Sequence, residues 1–320
     1  MLALPAAKPK IAISACLLGA EVRYNGGHKE SRLCSRTLTE YFEFAPVCPE
    51  VAIGLGIPRE PIRLVGEPEH PQAIGTVNPA INVTQPLAEY GEKMAAELDD
   101  ICGYIFMQQS PSCGLERVKV YHANGAPVNG GGRGIYAQAF CAQHPDLPVE
   151  EAGRLNDPVL RENFITRVFA YSAWQQVLAD GLSRRALTEF HSRYKYLLMA
   201  HNPLQYKALG KLLGNMAHTD PAELGPRYFS ELMAALKKCA TRGTHCNVLL
   251  HISGYLKQVI SAEDKQEMVH VIDQYRLGIV PLVVPLTLLK HHFRQHPDPY
   301  IAQQVYLQPH PENLSLRNAI

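Results

Sequence analysis

The sequence predicts an α/β chain, with a parallel, Rossmann-like sheet domain over residues 1–150 and an all-α helical domain over residues 151–320. Short apolar runs alternate with turn-rich or helical segments through the first half, as strands do when crossover helices cover a parallel sheet. In the second half an N-cap residue repeatedly stands directly before a proline, which marks helix starts. Between the halves, near residues 145–156, the stretch HPDLPVEEAGRLNDP is polar and proline-rich and reads as a boundary.

In chain order, the apolar runs are KIAISA (10–15), FEFAPV (42–47), GYIFM (103–107) and GIYAQAF (134–140). Residues 85–102 carry helical spacing, with Leu87, Tyr90, Met94, Leu98 and Ile101 on one face. Asp157-Pro158, Asn202-Pro203, Asp220-Pro221 and Asp298-Pro299 mark helix starts in the second half, and Ser261 with Asp264 resembles a capping box. The expected helices lie near 157–180, 183–200, 203–214, 221–240, 246–258, 262–277 and 285–296.

Composition excludes several classes. A hydrophobic content of 46% with 19% charged residues suits a globular chain and excludes a disordered one. The longest apolar stretch, residues 277–289, contains Pro281 and Pro285 and falls short of the roughly 18 residues of a membrane span. The N-terminal MLALPAAKPK lacks a long apolar core, so no signal peptide is expected and the chain is read as cytoplasmic. Eight cysteines in that setting are expected to be reduced thiols. Charge is uneven: residues 1–150 hold 12 Lys and Arg against 16 Asp and Glu, and residues 151–320 hold 19 against 14. The positive second half suits an anionic partner, although a helical domain of that charge is also commonplace.

Cys16, Cys48 and Cys113 share a setting that the other cysteines lack. Each stands at or just past the end of an apolar run and opens a Gly- or Pro-containing loop: SACLLG, APVCPE and QQSPSCG. In an open parallel sheet, ligands bind beyond the carboxyl ends of the strands. If the runs are neighbouring strands, three thiols separated by 32 and 65 residues meet there. Three thiolates suit a soft metal, either zinc or an iron–sulfur cluster; the bland alternative is three packed strand-end cysteines. Glu50, two residues beyond Cys48, would place a carboxylate beside such a metal as a general acid/base, or be a solvated loop residue. Ser110 and Ser112, flanking Pro111, could bond substrate or cluster sulfide, or simply serve the turn.

SACLLGAEVRYNGGHK, CPEVAIGLGIPREPI and FMQQSPSCG together resemble the three signature segments of the thiouracil desulfidase family, over about residues 9–150. The resemblance implies a 4Fe–4S cluster on Cys16, Cys48 and Cys113, a catalytic acid at Glu50 and a catalytic serine at Ser110. Arg23 and Ser112 are expected to bind substrate. Asn25 departs from the family, which often has aspartate there.

The second half resembles a helical domain often fused to this one, through FHSRYKYLLMAHNPLQYKALG (190–210), NVLLHISGYLKQVIS (247–261) and the segment 275–311. Two-domain members are similar to bacterial desulfidases that return 4-thiouridine in tRNA to uridine. That implies a non-redox desulfuration that releases sulfide, with tRNA as partner. Three other readings stay open: desulfuration of free thiouracil or thionucleosides, a zinc hydrolase or deaminase on the same cysteines, and a non-enzymatic RNA-binding or redox-sensing protein. His191, Arg193 and Lys195 with His201, interleaved with Tyr194 and Tyr196, and the run holding Lys290, His291, His292, Arg294 and His296, suit phosphates and unstacked bases. The bland alternative is amphipathic helices with solvated basic faces. GGGRG (130–134) lacks a Walker lysine and reads as a flexible loop.

Overall fold

The structure is a computed structural model that describes residues 8–215 and 219–320. The reading of the first seven residues as free of a signal sequence lies outside the described residues. The chain divides into two compact units, one ending at Asn156 and the other beginning at Asp157.

The first unit is built on a sheet of four strands, β1 (Lys10–Ser14), β2 (Glu43–Val47), β5 (Tyr104–Phe106) and β7 (Val149–Glu151), in the order β2-β1-β5-β7. All three pairings are parallel. β1 is central, and Ile11, Ala12 and Ile13 are fully buried, which suits a strand covered on both faces. Two helices, α2 (Thr84–Glu97) and α3 (Ile135–Gln143), pack closely together. At Gly91 a Cβ would stand 2.8 Å from the Tyr136 carbonyl oxygen, so only glycine admits this approach of α2 to α3.

Residues 134–140, read as a fourth apolar run, form α3 instead of a strand. Gly134 stands at its N-cap, and Ile135, Tyr136, Ala137 and Phe140 are buried. The fourth strand is β7, whose sequence VEE hides it. Buried Glu151 is tolerated there because its carboxylate accepts from the Leu115 backbone at 2.9 Å, and Glu150 pairs with Arg154 at 2.7 Å. The division at Asn156 falls six residues past residue 150, because β7 and the turn Arg154–Asn156 belong with the sheet. A second sheet, not foreseen, holds β3 (Ile62–Val65), β4 (Gln72–Gly75) and β6 (Val120–Tyr121) in the order β4-β3-β6, with β3 and β4 antiparallel. The GGGRG stretch is pinned against this region, with Gly132 and Val118 exchanging backbone hydrogen bonds of 2.7 and 3.0 Å.

The second unit is helical among its described residues: α4 (Pro158–Ala179), α5 (Arg184–His201), α6 (Pro203–Gly214), α7 (Pro221–Lys237), α8 (Arg242–Ser253), α9 (Ala262–Arg276) and α10 (Val283–Gln295), followed by short 3₁₀ turns. Asp157, Asn202, Asp220 and Ser261 each accept from backbone N–H groups at the starts of α4, α6, α7 and α9. Asp298 accepts from Tyr300 and Ile301 but opens only the 3₁₀ turn Ile301–Gln303. α8 begins four residues earlier than expected, because Thr241 and Thr244 form a reciprocal capping box. Among the described residues, no helix is long and apolar enough to cross a membrane.

Candidate active site

The site grows from the carboxyl ends of three adjacent parallel strands. Ser14 pairs with Val47, and Ile13 with Ile105, so β1, β2 and β5 release their loops side by side. Cys16 lies in the 3₁₀ turn after β1, Cys48 caps the short helix α1 (Pro49–Ala52) after β2, and Cys113 ends the turn after β5. The Met107 backbone N–H donates to Ser14 Oγ at 2.9 Å and fastens two of these loops together. All three cysteines line one cavity of about 500 Å³, with Arg23, Glu50, Arg59 and Ser110.

Burial pushes the Cys16 thiol up to about 11, with Cys48 adding to the rise and Arg23 opposing it. Burial also raises Cys48, and raises Cys113 well above the usual thiol range. Bare thiols here stay protonated at neutral pH, so a bound cationic centre is what would hold them as thiolates. Cys34, Cys102 and Cys246 are buried away from this cavity, and Cys141 and Cys239 are half-buried. Among the described residues, no three His, Cys, Asp or Glu side chains are placed to share a single metal ion.

Glu50 is held from two sides. Arg59 donates from Nε at 2.9 Å and from Nη2 at 2.7 Å to Glu50 Oε2. Ser112 Oγ donates to the other oxygen, Oε1. The Arg59 side chain is only 5% exposed, so this is a shielded, charge-assisted contact. Ser110 Oγ accepts from the backbone N–H groups of Cys113 at 3.1 Å and Ser112 at 3.3 Å, which shapes the turn that presents Cys113. The close approach of Gly134, where a Cβ would stand 2.5 Å from the Ser112 carbonyl carbon, seats that turn on the start of α3.

Ser112, expected to meet substrate, is fully buried and faces Glu50 instead of the cavity. Arg59 was missed: nothing in its spacing from Cys48 marks it, although GIPREPI lies within the second signature segment. Arg23 lines the cavity with its guanidinium over the Tyr24 ring, 5.7 Å from the centroid. Asn25 accepts from the Gly27 backbone at 3.2 Å, a turn contact that aspartate would make equally.

In the helical unit several expected nucleic-acid contacts turn out to be core. His191 stacks on Tyr206 and meets the Tyr228 hydroxyl at 3.2 Å. Burial and the nearby Lys195 lower its pKa to about 4, so it is neutral at pH 7 and offers phosphate no charge. Tyr194 and Tyr196 are buried, and His201 is buried against the Lys238 carbonyl oxygen at 2.7 Å, so none is a platform for bases. Arg193 is half-buried with an enclosed Nε, and Lys195 sits over the Tyr196 ring at 4.9 Å. Lys290 pairs with Glu312, while Arg294 is exposed.

Three thiols, a clamped carboxylate and an arginine on one cavity at the ends of parallel strands define an α/β unit with a thiol-lined active site. The family model described as 2-thiouracil desulfurase matches residues 11–152, and one described as a protein of unknown function (DUF1722) matches residues 195–311. The chain is 30% identical to the uncharacterized protein YbgA of Escherichia coli (strain K12) over 159 residues, covering 49% of this chain and 94% of the relative. It is 31% identical to the uncharacterized protein YbbK of Bacillus subtilis (strain 168) over 128 residues, 38% of this chain and 84% of the relative. A solved structure titled [4Fe-4S]-dependent thiouracil desulfidase TudS shares 29% identity, covering 47% of this chain and 94% of that one, at a TM-score of 0.35. The chain belongs to the 2-thiouracil desulfurase family, with a DUF1722 domain following the desulfurase domain.

Proposed function

We propose that this protein removes the sulfur of 4-thiouridine in tRNA, leaving uridine and sulfide, with a 4Fe–4S cluster held by Cys16, Cys48 and Cys113. The observation that carries this reading is the meeting of three thiols and Glu50 on one cavity in a chain of the desulfurase family. The donor set fits the group: three soft ligands are spread around a cavity, as a cluster requires when each of three irons takes one thiolate. When bound, such a cluster supplies a Lewis-acidic iron with affinity for the exocyclic sulfur.

The protein's own residues do the rest. Arg23 and Tyr24 form a flat cationic–aromatic rim on which a pyrimidine can stack. Arg59 and Ser112 fix the Glu50 carboxylate so that it faces the cavity in one orientation. Glu50 takes a proton from the water that adds to the ring carbon and returns it to the departing sulfur. Ser110, on the cavity wall, holds the Cys113 turn and can donate to the exocyclic carbonyl oxygen of the pyrimidine. The balance is one water consumed, a C–S bond exchanged for C–O, and hydrogen sulfide released, with no net redox change.

The net positive charge of the second half, 19 Lys and Arg against 14 Asp and Glu over residues 151–320, favours tRNA over a free base as substrate. The test is anaerobic reconstitution followed by nucleoside analysis of tRNA and free 4-thiouracil. Loss of 4-thiouridine with equimolar uridine and sulfide is expected. Turnover of the free base alone would reduce the reading to a small-molecule desulfidase. A colourless, zinc-loaded active protein would overturn the cluster assignment.

A further inference from the structure

The helical unit holds its own concave site, remote in character from the thiol cavity. A cavity of about 300 Å³ lies between α10 and the 3₁₀ segments near the end of the chain, and Lys290, Arg294, His310 and Arg317 line it. We propose that this cavity binds a phosphate group. The proposal stands whether or not the first unit desulfurates tRNA.

Two of the four groups are more than nine-tenths buried, His310 at 5% and Arg317 at 7% exposure. The Arg317 guanidinium is held rigidly: Nε donates to Glu162 Oε1 at 3.2 Å, Nη1 donates to the Tyr306 carbonyl oxygen at 2.6 Å, and the fork lies over the Tyr306 ring at 5.2 Å. Its Nη2 has no hydrogen-bond partner. His310 Nδ1 donates to the Pro311 carbonyl oxygen at 3.3 Å, and its Nε2 faces Glu162 Oε1 at 3.6 Å. A buried guanidinium N–H without an acceptor is costly, and an anion in the cavity would relieve that cost once the Arg317 side chain shifted to meet it.

Charge points to an anion. Glu162 neutralises part of the buried cluster from behind, and Glu312, paired with Lys290, is the carboxylate on the cavity wall. Three cations against these two carboxylates leave a positive balance even with His310 neutral. Lys290 and Arg294 stand one turn apart on α10 and Arg317 lies in the 3₁₀ turn Leu316–Asn318, so a ligand with three acceptor oxygens uses them better than a planar carboxylate does. Phosphate has that shape, whether it belongs to a nucleic-acid backbone or to a free nucleotide.

The test is calorimetric titration of the full chain with inorganic phosphate at constant ionic strength. Saturable binding to one site is expected, weakened about tenfold or more in the double variant Lys290→Gln/Arg294→Gln, which leaves the buried Arg317 in place. Glu312→Gln should bind phosphate about threefold to tenfold more tightly, since it removes a like charge from the wall. A gain of affinity is not something a misfolded variant produces. No saturable binding, an unchanged double variant, or an unchanged Glu312→Gln variant would overturn the proposal. tRNA as a second probe identifies the source. If the double variant weakens tRNA and phosphate alike, the occupant is a backbone phosphodiester; if it weakens phosphate alone, the occupant is a free phosphate or nucleotide. Either result supports the site.

Discussion

The sheet unit and the helical unit place their polar side chains in different ways. In the sheet unit Cys16, Cys48, Glu50 and Cys113 hang from loops at the ends of β1, β2 and β5, where the strands stop and the backbone turns towards one cavity. In the helical unit the polar residues are spread along helices, and the 3.6-residue period sends many of them inward. Along α5, Tyr194, Tyr196 and His201 pack into the interior, whereas His191 and Lys195 stay half-buried. A strand end gathers neighbouring residues at one place, whereas a helix distributes its neighbours around a cylinder. Clustering along the chain therefore carries functional meaning in the first unit and little in the second.

The largest expected effect tests the gathering directly. Alanine at Cys16, Cys48 or Cys113 should abolish the brown chromophore and the activity, whereas alanine at Cys34, Cys102, Cys141, Cys239 or Cys246 should leave iron content unchanged. Iron analysis of the eight variants decides it, and full iron in all three cavity variants would break the contrast.

Next comes the clamp on the carboxylate. Glu50→Gln should keep the cluster spectrum and lose turnover by about 10²–10⁴, the usual worth of a positioned proton-transfer group. Arg59→Gln should lose about 10–10² by loosening Glu50, mostly in kcat, with the spectrum unchanged. Normal turnover in both variants would show that Glu50 moves no proton.

A smaller effect is expected on the helical side. Because Arg193 Nε is enclosed, Lys195→Glu with Arg294→Glu is the cleaner charge reversal. Affinity for tRNA should fall about tenfold, with a shallower salt dependence, while turnover of free thiouracil stays level. Equal loss on both substrates would mean that these residues support the fold and do not read RNA.

The mildest effect is on stability against pH. His191 and His245 have folded-state pKa values lowered, by burial first, to about 4 and about 3. The unfolded chain binds protons there near the ordinary value of about 6.5. Their neutral burial therefore contributes stability that is fully present above that value and fades as pH falls towards 4 and 3. Urea midpoints of the helical unit should decline across that window, and His191→Gln should flatten the slope. An unchanged slope would show that His191 is exposed in solution.

Sequence alone determined the features that repeat locally: the apolar runs of β1, β2 and β5, the proline-marked starts of α4, α6 and α7, and the loop cysteines that follow the strands. These follow from backbone propensity and from residues only a few positions apart. Strand β7 was illegible because one of its two buried glutamates, Glu151, is satisfied by a partner distant in the chain, the Leu115 backbone. α3 passed for a strand because a short apolar run fits either period until its neighbour is known. Only the tertiary structure decided that Arg59 clamps Glu50 and that Ser112 faces that carboxylate, across 62 residues of chain in the second case. It likewise set His191 against Tyr206 and Tyr228 and joined His310 and Arg317 to Lys290 and Arg294 on one cavity. Long-range contacts of this kind depend on which elements pack together, and that choice rests on the apolar surface of the whole unit, not on the residues at the contact.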